Sequence, residues 1–369
     1  MKIVISGYVG KKITGIGRNL ISLLDNSGSD IEYIVYTNQD MKDDFHFHNP
    51  NITVKTYKVS KNSSIKNLLW TTFVFPFLSL KEKADKALIP NFNLLLFKFR
   101  PTIVIMHDLI EFNVPGKFSP LKMFYRTKLA DPITARKADK IITVSENSKR
   151  DIVKYLKVDP KKITVIYNGV DRNKFYKMDE SKAIDILDKK GWPHDYILYA
   201  GTIDHPGKNA MGVCKAFEKL KQMHRYDGSL ILAGMPGSGY EVVKEYIDHS
   251  EFKNDIVLTG YVNDEELVAL YSSCATFVFI SLYEGFGIPP LEALSCGAKV
   301  IVSNTSSLPE VVGNVGITVD PNNIDLIACA IFESLHKKTD KAYLSLVEHH
   351  LKKYDWVELA HSLKKEMCE

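Results

Sequence analysis

Cysteine is sparse and unpatterned. Cys214, Cys274, Cys296, Cys329 and Cys368 are scattered, odd in number and free of C-x-x-C spacing. That argues against a disulfide frame and against a thiolate zinc site, and predicts reduced thiols in a cytosolic protein. Long apolar runs are missing too: no stretch approaches the ~18 residues of a membrane-spanning helix. The opening Met1-Lys2-Ile3-Val4-Ile5-Ser6-Gly7 is too short an apolar run for a signal peptide. Excess charge is small. A net charge of +4 and a pI near 8.5 give no basis for nucleic-acid binding but suit an anionic substrate or an anionic membrane surface. Asn62-Ser63-Ser64 and Asn304-Thr305-Ser306 match glycosylation acceptors, at a frequency chance supplies.

What is present describes a globular protein. Hydrophobic residues make up 45% and charged residues 25% of 369 positions, which predicts two domains of ordinary size. Short apolar runs at 2–6, 31–36, 52–57, 86–89, 103–106, 140–144 and 163–166 alternate with helical segments. The alternation resumes at 196–200, 229–233, 256–258, 275–280, 299–302 and 315–319. Strands alternating with helices predict parallel sheets joined by right-handed crossovers. Two such halves make two Rossmann-like α/β domains facing a cleft.

The most informative stretch is 281–297, Ser-Leu-Tyr-Glu-Gly-Phe-Gly-Ile-Pro-Pro-Leu-Glu-Ala-Leu-Ser-Cys-Gly. An apolar strand leads into a glycine-bearing loop and a short helix. Pro289 and Pro290 suit a first helical turn, and Gly285 and Gly287 permit close approach of backbone to a ligand. The helix start is a phosphate site by its free N–H groups and positive dipole end. Glu284 and Glu292 flank it with seven residues between them. Carboxylates repel phosphate, so sugar hydroxyls on either side of it are their targets, and the ligand reads as sugar, diphosphate and ribose. A strand–turn–helix corner with solvated glutamates is the plainer alternative.

Other segments add to this. Gly15-Ile16-Gly17-Arg18-Asn19-Leu20 lacks the third glycine of a dinucleotide fingerprint, and the next strand ends in Thr37-Asn38 where an acid is needed. An oxidoreductase is therefore poorly supported. His107, beside Asp108, closes a buried strand and points to where open α/β sheets bind ligands; a locally satisfied His-Asp pair is the alternative. Lys208, in the loop after the strand at 196–200, is a candidate phosphate cation. The run 65–78, Ile-Lys-Asn-Leu-Leu-Trp-Thr-Thr-Phe-Val-Phe-Pro-Phe-Leu, has two readings, a helix packed on its own sheet, which we prefer, or a segment dipping into a bilayer interface.

Glu-x7-Glu carrying Gly-Phe-Gly-x-Pro resembles the donor-site signature of retaining glycosyltransferases of family 4, which have the GT-B fold. Gly-Ile-Gly-Arg is similar to the family's first loop, where Gly15 and Arg18 would lie near the donor phosphate. The turn Asn168-Gly169-Val170-Asp171 resembles the end of a first GT-B domain, which sets domains at 1–171 and 172–352, with a helix from about 353–369 returning to the first. The resemblance implies that Glu284 contacts hydroxyls of the transferred sugar. The backbone of Gly285, Phe286, Gly287 and Ile288 would bracket sugar and phosphates, and Glu292 would take the ribose. His107 would contact the donor sugar or position the acceptor hydroxyl.

Lys208 would neutralise phosphate. The loop departs from the family pattern at Thr202, where many members carry arginine, and at Gly207, where Pro-Arg-Lys is usual; Arg18 would supply part of the missing charge. Metal-dependent transferases use an Asp-x-Asp motif, which is absent, so no metal or other cofactor is expected beyond a nucleotide-diphosphate sugar as co-substrate. The implied activity is transfer of a hexose, with a slight lean to mannose or rhamnose, onto a saccharide or lipid-linked saccharide of a cell-surface glycan. The implied setting is cytoplasmic, with peripheral contact at the inner face of the membrane. A non-catalytic sugar-nucleotide-binding subunit is the rival; it would need neither His107 nor Glu284.

Overall fold

The computed structural model describes residues 1–7, 15–57, 68–90, 94–114, 118–337 and 339–369. Residues 8–14 of the first glycine-bearing loop, the acceptor tripeptide at 62–64 and residues 65–67 of the apolar run lie outside them. The chain divides into two compact units, Met1–Gly169 with Tyr354–Glu369, and Val170–Lys353.

The first unit holds a sheet of seven parallel strands: β1 (Lys2–Ser6), β2 (Glu32–Asn38), β3 (Ile52–Tyr57), β4 (Lys86–Ile89), β5 (Thr102–Ile105), β6 (Lys140–Thr143) and β7 (Ile163–Val165), in the order β3-β2-β1-β4-β5-β6-β7. Successive side chains of a strand face opposite sides. Accordingly Ile3, Ile5, Tyr33, Val35, Ile103 and Ile105 fill one core, while Val4, Ile34, Tyr36, Val104 and Met106 fill the other. Both faces are thus covered, as parallel sheets require. β2 runs to Asn38, beyond the 31–36 expected, because Thr37 and Asn38 still pair with Thr56 and Tyr57 of β3.

The last helix, Trp356–Cys368, belongs to this unit. Its Leu359, Ala360, Leu363 and Met367 join the core of Ile3 and Leu20. Asp355 caps it by accepting from the N–H groups of Val357 and Glu358. Gly169 permits the junction, since a Cβ there would stand 2.5 Å from the Trp356 ring. In the run 65–78, Trp70 and Phe75 pack into the sheet's core, as a helix packed on its own sheet should, although the same helix also has an exposed apolar face.

The second unit holds six parallel strands, β8 (Tyr196–Ala200), β9 (Ser229–Ala233), β10 (Ile256–Gly260), β11 (Thr276–Phe279), β12 (Val300–Ser303) and β13 (Ile317–Val319), ordered β10-β9-β8-β11-β12-β13. The chain winds outward from β8 to β10, then restarts at β11 on the other side of β8. The order reverses between β8 and β11. Loops leaving the carboxyl ends of these two strands diverge there and open the crevice where such sheets take ligands.

Candidate functional site

The switch point brings Lys208 and Glu284 together. Lys208 ends the loop after β8 and Glu284 lies in the loop after β11, and Lys208 Nζ stands 2.9 Å from Glu284 Oε1. The side chains keep 30% and 20% of their exposure, so the pair faces solvent from one side. The lysine also lies over the Phe279 ring, 5.3 Å from its centroid.

Hydroxyl groups hold this corner in place. Ser281 Oγ–H donates to Glu284 Oε1 at 2.8 Å, and the Glu284 N–H donates to Ser306 Oγ at 3.0 Å. Ser307 Oγ lies 2.9 Å from the Glu284 carbonyl and 2.5 Å from that of Phe286. Thr305 donates to the Leu282 carbonyl at 3.0 Å. The two switch-point loops are joined directly by Leu282 N–H on the Gly207 carbonyl at 2.9 Å. Asp204 fixes the other side, accepting from the Lys208 N–H at 3.1 Å. Sequence reasoning missed Ser281, Thr305, Ser306, Ser307 and Asp204. Thr305 and Ser306 belong to the tripeptide read as a chance glycosylation match; in the fold they support the Glu284 loop.

The helix Ile288–Ser295 follows, with Gly287 as its N-cap at φ 118°. A Cβ on Gly287 would meet Leu308 Cδ2 at 2.5 Å. The four N–H positions a helix leaves unpaired at its start are here Gly287, Ile288, Pro289 and Pro290. The two prolines have no N–H, so the donors narrow to Gly287 and Ile288, backed by the positive end of the dipole. Phe286 is buried and anchors the loop, its carbonyl turned to Ser307 and not outward. Glu292 sits in the second turn, its Oε2 3.5 Å from the Tyr271 hydroxyl. Thr202 is exposed, and its carbonyl accepts from the Tyr199 hydroxyl at 2.8 Å.

Gly15, Arg18 and His107 belong to the first unit. Gly15 opens the helix Gly15–Asp25, as a helix starting about Ile16 would lead one to expect, so Gly-Ile-Gly-Arg forms its first turn, and Arg18 is exposed on it. His107 follows β5 and is buried. Its carbonyl accepts from Ser148 Oγ at 3.0 Å. Burial pushes the imidazole down to about 4, opposed by a bond to the Pro90 backbone. Nε2 is buried and has no partner among the described residues, so a neutral ring protonated at Nδ1 would present it as a buried acceptor. Among the described residues no cluster of three or more His, Cys, Asp or Glu side chains forms a metal site.

Two family profiles match the chain, Glycosyltransferase Family 4 over residues 18–174 and Glycosyl transferases group 1 over residues 185–349. The O-antigen chain mannosyltransferase B of Escherichia coli is 34% identical over 249 residues, 67% of this chain and 64% of that protein. The serotype-specific mannosyltransferase WbdA of the same species is 30% identical over 271 residues, 70% of this chain. The chain therefore spans just under two thirds of the first relative's length and 32% of the second's. Among solved structures, Anabaena HepE, crystallised with UDP and glucose, superposes with a TM-score of 0.77 at 18% identity, covering 100% of this chain and 99% of that one. That likeness shows the fold, GT-B.

Proposed function

The chain belongs to glycosyltransferase family 4, the glycosyl transferases group 1, and on that premise we propose that it moves a hexose from a nucleotide-diphosphate sugar to a saccharide or lipid-linked saccharide of a cell-surface glycan. Mannose is the favoured sugar, since the curated relatives above are named as mannosyltransferases. The observation that carries the reading is the Lys208–Glu284 pair at the switch point, 2.9 Å apart and next to a helix start. A cation and two backbone donors suit the diphosphate, and a fixed carboxylate suits sugar hydroxyls.

Transfer would proceed with retention and without metal. The bond from the sugar's anomeric carbon to the diphosphate oxygen breaks as the acceptor oxygen attacks the same face, and the acceptor's proton passes to the leaving phosphate. Lys208 and the N–H groups of Gly287 and Ile288 would stabilise the charge growing on that phosphate, a term of about 3 kcal/mol per well-placed donor. Glu284 would orient the transferred sugar and Glu292 the ribose. His107, neutral at physiological pH, would accept a hydrogen bond from a hydroxyl and would not act as an acid. The working place is the inner face of a membrane, with peripheral contact.

The test is a thermal-shift panel of UDP, GDP, dTDP and ADP with their sugars, in chelator. Binding to the native state alone raises stability by mass action, so one diphosphate should stabilise by several degrees and identify the base. Transfer from that sugar nucleotide should persist in chelator. No shift with any diphosphate would refute the donor site, and activity lost in chelator and restored by magnesium would refute the metal-free mechanism.

A further inference from the structure

Two carboxyl groups are buried against each other beside the segment that carries His107. Glu111 lies in the single turn Ile110–Asn113, four residues after His107. Asp131 opens the helix Asp131–Lys137. Both residues are buried, and their carboxyls lie within hydrogen-bonding reach of each other. Among the described residues, neither Asp131 oxygen nor Glu111 Oε2 has another partner. Two ionised carboxylates cannot bond, so the contact requires one of them to carry a proton.

The surrounding charges fit one negative charge on the pair. Arg126 donates to Glu111 Oε1 through Nε at 3.2 Å and Nη2 at 3.1 Å, which marks Glu111 as the ionised member. Asp108 adds negative charge near Asp131, and Arg126 opposes it. Lys122 also acts on Glu111, but it is exposed and lies over the Phe118 ring, 3.8 Å from its centroid. Tyr125 faces Asp131 and stays neutral, its hydroxyl pushed up by burial and then by Asp131. Burial, followed by the bond and the charge of Glu111, lifts the Asp131 carboxyl well above the ordinary carboxylate range. The helical run is shaped for this contact. Arg126 and Asp131 are five residues apart and in an α-helix would point about 140° apart. Tyr125–Ala130 is instead a π-type turn, whose wider winding brings residues at that spacing towards one face.

Glu111 ties the His107 segment to that helical run. Other holds on the segment come from the helix Glu146–Leu156: Ser148 Oγ donates to the His107 carbonyl at 3.0 Å, Asn113 Nδ2 donates to Asp151 at 2.9 Å, and the Tyr155 hydroxyl donates to Asn113 Oδ1 at 3.0 Å. Asp108 Oδ1 starts the turn by accepting from the Ile110 N–H at 3.0 Å. We propose that Glu111 and Asp131 share one proton, and that this buried pair, clamped by Arg126, is a positioning element that sets His107 for transfer. Loss of the proton puts two carboxylates against one guanidinium and drives the turn Ile110–Asn113 away from the helical run. The role of His107 in transfer rests on the transferase reading; the shared proton does not.

The experiment compares wild type, Asp131→Asn and Asp131→Ala as whole chains across pH. Asparagine can donate to Glu111 at every pH, and alanine cannot donate at all. Thermal unfolding reads the proton. The folded chain holds it and the unfolded chain releases it, so wild type should lose stability relative to Asp131→Asn as pH rises above about 6. Initial rates read the positioning. With the donor found by the thermal-shift panel, wild-type kcat should fall about tenfold or more on the alkaline side, with donor KM unchanged. Asp131→Asn should keep the rate near neutral pH and lose that limb, while Asp131→Ala should be slower by about tenfold throughout. The imidazole NMR signal of His107, identified by its loss in His107→Gln, should shift in Asp131→Ala and not in Asp131→Asn. The proposal is overturned if folded Asp131→Asn keeps the alkaline limb, if its stability runs parallel to that of wild type, or if the His107 signal ignores Asp131→Ala. Should Asp131→Ala fail to fold, wild type against Asp131→Asn decides alone. If no donor supports transfer, the transferase reading fails by itself, while the unfolding profiles and the His107 signal still decide on the pair.

Discussion

Glu284→Gln separates the two jobs assigned to the switch-point corner. In the free protein a phosphate approaching Lys208 must compete with the Glu284 carboxylate, 2.9 Å from the ammonium, and is itself repelled by that carboxylate. The amide keeps the shape of the side chain and can still accept from Ser281, which donates to Oε1 at 2.8 Å, but it removes the charge. Both partners are partly exposed, at 30% and 20%, so the competition is screened and worth about 1 kcal/mol rather than its gross Coulomb value. Released from it, the bare nucleoside diphosphate should bind about fivefold tighter. Transfer should move the other way. Loss of a charged contact to the transferred sugar should lower turnover by about 10²–10³, the scale for removing one well-placed electrostatic group. Calorimetric titration with the diphosphate selected by the thermal-shift panel, and initial rates at saturating donor, measure the two effects separately. Diphosphate affinity unchanged or weakened in the folded variant would refute the competition, and near-wild-type turnover would refute the role of Glu284 in transfer.

Three further outcomes are expected. Lys208→Ala should weaken the nucleoside diphosphate by about tenfold or more, the worth of one charge-assisted hydrogen bond, and leave the bare nucleoside nearly unaffected; equal losses would mean that Lys208 does not touch phosphate. Gly287→Ala should destabilise the second unit by about 1–3 kcal/mol, because alanine resists a φ of 118° and its Cβ would press on Leu308; urea midpoints of the isolated variant and wild type test this, and coincident curves would contradict the strain. His107 supplies a pH dependence. Its folded value near 4 lies below the ordinary 6.5, so below pH 6.5 the unfolded chain binds the extra proton and stability falls as pH drops, levelling off near pH 4. The total is about 3 kcal/mol at 1.36 kcal/mol per unit. His107→Gln should flatten the stability profile between those limits, and identical slopes for variant and wild type would show that the ring titrates normally.

The parts legible in the sequence and the parts that were not differ for a physical reason. Buried parallel strands are short continuous apolar runs, and Ile3-Val4-Ile5 or Phe277-Val278-Phe279 can be little else. Their ends were less clear, because a strand stops where its neighbour stops pairing, as β2 does at Asn38 opposite Tyr57. Glycine and proline act locally, so the backbone of Gly285 to Pro290 could be read directly. The apolar run around Phe73 could not be assigned a direction, since composition says nothing about which face turns outward, and Trp70 and Phe75 went into the core while Phe73 and Phe77 did not.

The Lys208–Glu284 contact spans 76 residues and exists only because the strand order reverses between β8 and β11. No local pattern announces such a pair. The hydroxyls beneath it are harder still, for serine and threonine occur everywhere and carry no spacing rule. Yet Ser281, Ser306 and Ser307 bond the side chain, the N–H and the carbonyl of Glu284 respectively. With all three groups held, the carboxylate cannot swing away to admit a phosphate. The lysine is held at its own backbone by Asp204, and the hydrogen bond of its ammonium is to Glu284 itself. On the proposed reading, donor binding at this corner would transfer the Lys208 ammonium from a fixed carboxylate towards the incoming diphosphate and would leave Glu284 unneutralised beside the sugar it is proposed to hold.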